Sequence, residues 1–139
     1  MQIQEGDGWR LQVDPERRPY SALLGGSDWA VELDTGELGA LRRAIRTLLA
    51  QRDQLLAILM AEEELDLELD LSLPGLGREI SSEGSLFVSL SGSLEQWSLR
   101  FVLTPADGSR AAEGAWSAAA SQALAAALAS LGDALDEAS

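Results

Sequence analysis

The chain has 139 residues, 46% of them apolar, and a formal net charge of −13; cysteine, histidine, lysine and asparagine are absent, and all ten basic residues are arginine. The length suits one domain, expected to span 1–139, whose core needs no disulfide or metal staple, and the apolar share excludes a disordered acidic tail. The missing residue types exclude thiolate and imidazole catalysis, Schiff-base chemistry, Cys/His metal sites and a lysine-bearing phosphate loop, leaving only all-oxygen sites for hard cations.

Residues 1–8 are polar and acidic, without the basic and apolar regions of a secretory signal, so a cytoplasmic location is expected. Trp9, Leu11 and Val13 then alternate with Arg10, Gln12 and Asp14, the period of a strand with one buried face. Pro15 and Pro19 bracket a turn before a second strand over 20–24, and Gly25-Gly26 punctuates. Trp29, Val31 and Leu33 alternate with Asp28, Ala30 and Glu32 in a third strand.

Asp34 stands three residues before Glu37, the spacing of a capping box, which predicts a helix start. Leu38, Leu41, Ile45, Leu48, Leu55 and Leu59 follow at steps of three and four, interrupted only by Arg52, and predict one amphipathic helix to residue 60 or 61. About 27 residues at ~1.5 Å each give ~40 Å, against a diameter of roughly 37 Å for a compact chain of this size. The helix is therefore expected to cross the domain, and any overhang to offer apolar surface to a second copy.

Over 64–73, Leu65, Leu67, Leu69, Leu71 and Leu73 alternate strictly with Asp66, Glu68, Asp70 and Ser72. Such a strand has one face for a core and one anionic face, as in an antiparallel sheet packed on one side and solvated on the other. Strands are predicted next over 85–91, with Leu86, Val88 and Leu90 inward, and over 96–104, with Trp97, Leu99, Phe101 and Leu103 inward. Residues 105–109 read as a turn and 110–116 as a short edge strand. Ser117 caps a closing helix with Leu124, Leu128, Leu131 and Leu135 on one stripe; Gly132 ends its firm part, and 133–139 are expected to fray. The alanine-rich stretch 115–131 is too short and too polar to span a bilayer. Strands, helix, strands, helix, divided into 1–61 and 62–139, define an α+β fold of antiparallel sheets with internal pseudo-duplication.

Glu64, Asp66, Glu68 and Asp70 form the leading candidate surface. Same-face acids about 7 Å apart in a strand repel by roughly 0.6 kcal/mol in water and more when desolvated, which predicts an exposed face. It suits a basic protein partner; as a cation site it lacks convergence, because a strand splays its ligands. Arg100 or Arg10 is expected to neutralise it across strands, and the acids also guard against edge pairing. Arg42 and Arg46, one turn apart on the expected exposed side of the first helix, complete the candidate surface. With Arg43, Arg17 and Arg18 they are the basic clusters, but a chain of this charge is repelled by a polyanion.

Trp9, Trp29 and Trp97 fall in phase with inward positions, so at least three of the four tryptophans are expected to be buried, with Trp116 a staple beside the second helix cap. The glycines at 6 and 8, 25 and 26, and 75 and 77 read as turns rather than a dinucleotide fingerprint.

Three stretches carry a resemblance: Glu5-Gly6-Asp7-Gly8-Trp9-Arg10-Leu11 with Asp14-Pro15-Glu16-Arg17 after it, residues 97–105 (WSLRFVLTP), and residues 112–120 (AEGAWSAAA). Together they resemble a family of short cyanobacterial proteins of unknown function, over nearly the whole chain. The resemblance implies a fold similar to the Whirly and positive-cofactor-four type regulators that bind single-stranded DNA. It transfers no catalytic or binding residue. Those regulators lay a basic, aromatic-dotted sheet face on the strand, whereas the clearest exposed face here is anionic.

The expectation is a non-catalytic, cytoplasmic protein-interaction module without cofactor, metal or membrane segment. It acts through the anionic face or the long helix, and homodimerises through helix or sheet. Single-stranded nucleic-acid binding is the alternative and needs a positive patch of Arg10, Arg17, Arg18 and Arg100 on one sheet face. A carboxylate-based, cation-dependent enzyme ranks third.

Overall fold

The computed structural model describes residues 1–73, 84–106 and 110–131. Period-two alternation builds two antiparallel meanders, each followed by a helix. The first sheet runs in the order β1 (Gln2–Gly6), β2 (Trp9–Val13), β3 (Ala22–Gly25), β4 (Ala30–Leu33), and leads into α1 (Thr35–Leu55). The second runs β5 (Leu65–Leu73), β6 (Gly84–Gly92), β7 (Trp97–Thr104), β8 (Ala112–Ala115), and leads into α2 (Ala118–Ala129). This is the α+β order read from the sequence.

One strand was not legible. β1 falls in the segment read as polar, and its burial is that of a strand wetted on both sides. It lies at the sheet edge, where backbone bonds to β2 hold it and no apolar face is required. Gly8, at φ 81°, supplies the left-handed residue that turns β1 into β2.

The inward positions read from the second half are buried: Leu86, Val88, Leu90, Trp97, Leu99, Phe101 and Leu103 are all at most 6% exposed. They meet Leu11, Leu24, Leu38, Leu41, Leu48, Leu124 and Leu128 in one hydrophobic cluster drawn from both sheets and both helices. The helices are shared between the sheets. α1 lies mainly on β5 and β6 of the second sheet, and α2 lies on β7, on β2 of the first sheet, and against α1.

The capping box forms as expected: Glu37 N–H donates to Asp34 Oδ1 at 2.8 Å and Asp34 N–H to Glu37 Oε1 at 2.9 Å. The helix ends at Leu55, five or six residues short of the expected end. At 21 residues it is about 31 Å long, shorter than the roughly 37 Å expected for the domain. Leu56 N–H bonds back to Asp53 and Ile58 N–H to Leu55, so the backbone tightens into turns. The apolar spacing persists through those turns, packing Leu55 and Leu59 on the core while Leu56, Ile58 and Met60 are exposed.

Two tryptophans, Trp97 and Trp116, are buried, and Trp9 and Trp29 are half-buried, one fewer buried than expected. Trp116 does not staple α2. Its ring packs against Phe101 of β7 at 5.5 Å and Trp29 at 5.2 Å, and its Nε1–H donates to Gly25 O of β3 at 3.0 Å. Gly114 makes room for this cluster, since a Cβ there would stand 2.5 Å from the Trp29 ring. The stretches expected to turn at 75–77 and to fray at 133–139, and the stripe residue Leu135, lie outside the described residues.

Candidate interaction surface

Strand alternation and register assemble the outer face of the second sheet. β5 presents Asp66, Glu68, Asp70 and Ser72, which stand opposite Ser91, Ser89, Phe87 and Ser85 of β6. These face Ser98, Arg100, Val102 and Thr104 of β7, and Arg100 and Val102 in turn face Ala115 and Glu113 of β8. An anionic edge therefore grades into a hydroxyl-rich stripe broken by the half-buried Phe87. Glu64, Asp66, Glu68 and Asp70 are all exposed, and none makes an ion pair or side-chain hydrogen bond among the described residues.

The expected cross-strand neutralisation does not occur. Arg100 shares a row with Glu68, but Ser89 of β6 lies between them, and its guanidinium turns to Glu113 at 3.5 Å. Arg10 belongs to the first sheet and pairs with Glu5 at 3.2 Å. A strand-to-strand spacing of about 4.8 Å makes the immediate neighbour the better partner.

The helix half of the candidate surface needs correction. Arg42 is buried, at 7% exposure, and its Nε–H donates to Leu128 O at 3.0 Å. That carbonyl is one of the last four of α2, so the guanidinium satisfies an end group and meets the negative pole of the helix. Residue 42 sits four beyond Leu38 and three before Ile45, so it shares their flank, and the arrival of α2 there covers it. Arg46 is exposed. Because α1 packs on the leucine side of β5 and β6, Arg42 and Arg46 stand on the opposite side of the sheet from Asp66, Glu68 and Asp70. The six residues do not form one surface.

Sequence reasoning missed a shallow cleft of about 560 Å³ on the first sheet, lined by Arg17, Tyr20, Leu23, Ala30, Val31, Glu32 and Arg110. Arg17 pairs with Glu32 at 2.5 Å, and Arg110 donates to Glu32 O and to the Glu37 carboxylate. These guanidinium groups are occupied by the protein's own acceptors. No spacing signals the cleft, because Arg110 is about ninety positions from Tyr20. Among the described residues no group of three or more acids is placed to hold a metal ion, and no helix is long and apolar enough to cross a membrane.

A pair of four-stranded antiparallel sheets, each followed in the chain by a helix, with an anionic outer face on the second, defines a class by fold rather than by chemistry. The chain belongs to the family described as a domain of unknown function, DUF1818, whose model matches residues 4–131. A solved structure described as a protein of unknown function from the DUF155 family of Prochlorococcus sp. NATL2A is similar to it. That protein shares 32% identity, with 94% of this chain and 98% of that chain covered, at a TM-score of 0.76. No curated protein matches the chain.

Proposed function

We propose that this protein is a non-catalytic module that binds another protein through the anionic outer face of its second sheet. The observation that carries this reading is the state of its charges. Asp66, Glu68 and Asp70 carry no ion pair among the described residues, while Arg10, Arg17, Arg52, Arg100 and Arg110 each bond a carboxylate. A solvated, unneutralised face attracts a basic partner at long range and fixes its orientation. The setting in this reading is the cytoplasm of a cyanobacterial cell. The exposed Leu56, Ile58 and Met60 support a dimer, which light scattering tests by a mass of 14.8 kDa or twice that.

A Whirly-like architecture fits the repeated sheet-then-helix unit, but nucleic-acid binding gains little from it. Arg10 lies on β2 beside Glu5, Arg17 in the β2–β3 connection beside Glu32, and Arg100 on the second sheet beside Glu113, so these three supply no common basic face.

The test is capture of partners from a cyanobacterial lysate, with and without nuclease, by the natural protein and by a variant combining Asp66→Ser, Glu68→Ser and Asp70→Ser. Protein partners that survive nuclease and are lost with the variant are expected. Recovery of nucleic acid alone, or of partners indifferent to the variant, overturns the reading.

A further inference from the structure

We infer that the outer edge of β5 receives an extended segment of the partner protein in which basic and apolar residues alternate. This rests on the anionic-face reading above and adds its mode of recognition.

β5 is nine residues long and ends its sheet; among the described strands only β6 is hydrogen-bonded to it. An edge of that length offers N–H and C=O groups at every second residue to another chain. Its inner side is also incompletely covered. Leu65 and Leu73 at the ends are 4% and 6% exposed, whereas Leu67, Leu69 and Leu71 between them are only partly buried. Its outer side carries Asp66, Glu68 and Asp70, unpaired among the described residues. A strand added about 4.8 Å away places its side chains alternately beside the leucines and beside the acids. The matching sequence is apolar at one set of alternate positions and lysine or arginine at the other.

A second copy of this chain does not meet that requirement. Antiparallel pairing of β5 with itself about Leu69 sets Glu68 opposite Asp70, and both chains carry a charge of −13. The other edge strands of the chain carry acids of their own: Glu5 on β1, Glu32 on β4 and Glu113 on β8. The occupant is therefore a different, basic protein.

The test uses the full chain and a fluorescent nine-residue peptide of alternating lysine and valine, with a block-ordered peptide of the same composition as control. Two further peptides carry N-methyl groups on the lysines only or on the valines only. The alternating peptide is expected to bind at least about tenfold more tightly than the block peptide. One methylated peptide retains binding and the other loses it, since only one set of amides faces β5. Alternate β5 amides gain protection from hydrogen exchange while those of β8 do not. Combining Asp66→Asn, Glu68→Gln and Asp70→Asn weakens the alternating peptide about tenfold and flattens its salt dependence.

Equal affinity of the alternating and block peptides, or indifference to both methylation patterns, overturns the edge pairing and leaves the anionic-face reading standing on charge alone. Failure of every peptide to bind overturns the edge pairing as well. The underlying reading falls separately, if captured partners ignore the serine variant.

Discussion

Arg110 donates from Nη2 to Glu37 Oε2 at 2.7 Å, joining residues 73 positions apart. The other oxygen of the same carboxylate accepts Asp34 N–H in the capping box of α1. Arg110 Nη1 reaches Glu32 O at 3.2 Å, and the guanidinium lies 4.4 Å from the centre of the Tyr20 ring. One carboxylate thus starts a helix of the first half and anchors the approach to β8 in the second.

Replacing Arg110 by methionine keeps much of the packing but leaves the buried Glu37 carboxylate without its cation. Full loss of a buried pair costs several kcal/mol, and the partial exposure of Arg110 lowers that to about 2 kcal/mol. Urea denaturation of Arg110→Met checks it. Desolvation opposes the Arg110 charge, but the hydrogen bond and field of Glu37, aided by Tyr20 and Asp34, outweigh it and raise the pKa. A raised cation pKa adds stability that is complete below the unfolded value and lost only as pH climbs through the folded one. Deprotonation of Arg110 therefore adds no change to the deficit of the variant between about pH 7 and about pH 9.

Trp116→Phe keeps an aromatic ring beside Phe101 and Trp29 and deletes the donor to Gly25 O. Loss of that buried hydrogen bond costs about 1 kcal/mol, and Trp116→Ala, which also empties the cluster, costs about 3–5 kcal/mol. Both are read from denaturant midpoints, and the difference between them isolates the ring.

Gly92 has φ 132°, and a Cβ there would stand 2.2 Å from Gln96 O in the β6–β7 hairpin. Backbone cannot swing aside as a side chain can. Gly92→Ala is expected to cost about 2–3 kcal/mol by combining strain with a steric clash, measured as a lowered Tm. Gly36→Ala, at an exposed position in the first turn of α1 where the nearest atom is 3.5 Å away, serves as the tolerated control.

The acid ladder lowers stability in the isolated protein. Glu68 has a like charge on either side along β5, and Glu68→Gln removes both repulsions, worth about 1 kcal/mol together at low salt. The variant should melt higher than the natural protein in dilute buffer, and the gain should fade as salt approaches about 1 M. A lower Tm at low salt would show that Glu68 makes a stabilising contact instead.

Most of the strands were legible because a half-buried strand writes its two faces into the sequence, as Leu86, Val88 and Leu90 or Leu99, Phe101 and Leu103 do. β1 was not, because its residues are wetted on both sides and so carry no apolar alternation. The start of α1 was fixed by Asp34 and Glu37, but its end was not, because the 3–4 spacing of Leu55 and Leu59 serves a tight turn as well as a helix. Of the candidate surface, the strand acids were found where expected. Arg42 was misplaced because one helix's pattern does not reveal what a second, distant helix will cover. The cleft and the Arg110 clasp were invisible for the same reason: they join residues whose only relation is tertiary.

The sharing of helices between the sheets bears on how the protein is made. During synthesis, the first half leaves the ribosome with Leu38, Leu41, Ile45 and Leu48 of α1 lacking the surface they finally cover, since β5 and β6 are not complete until residue 92. α2 is later still, and β2 waits for it. Neither half is a unit that translation finishes first, so the apolar stripe of α1 stays open to other chains until β6 has been made.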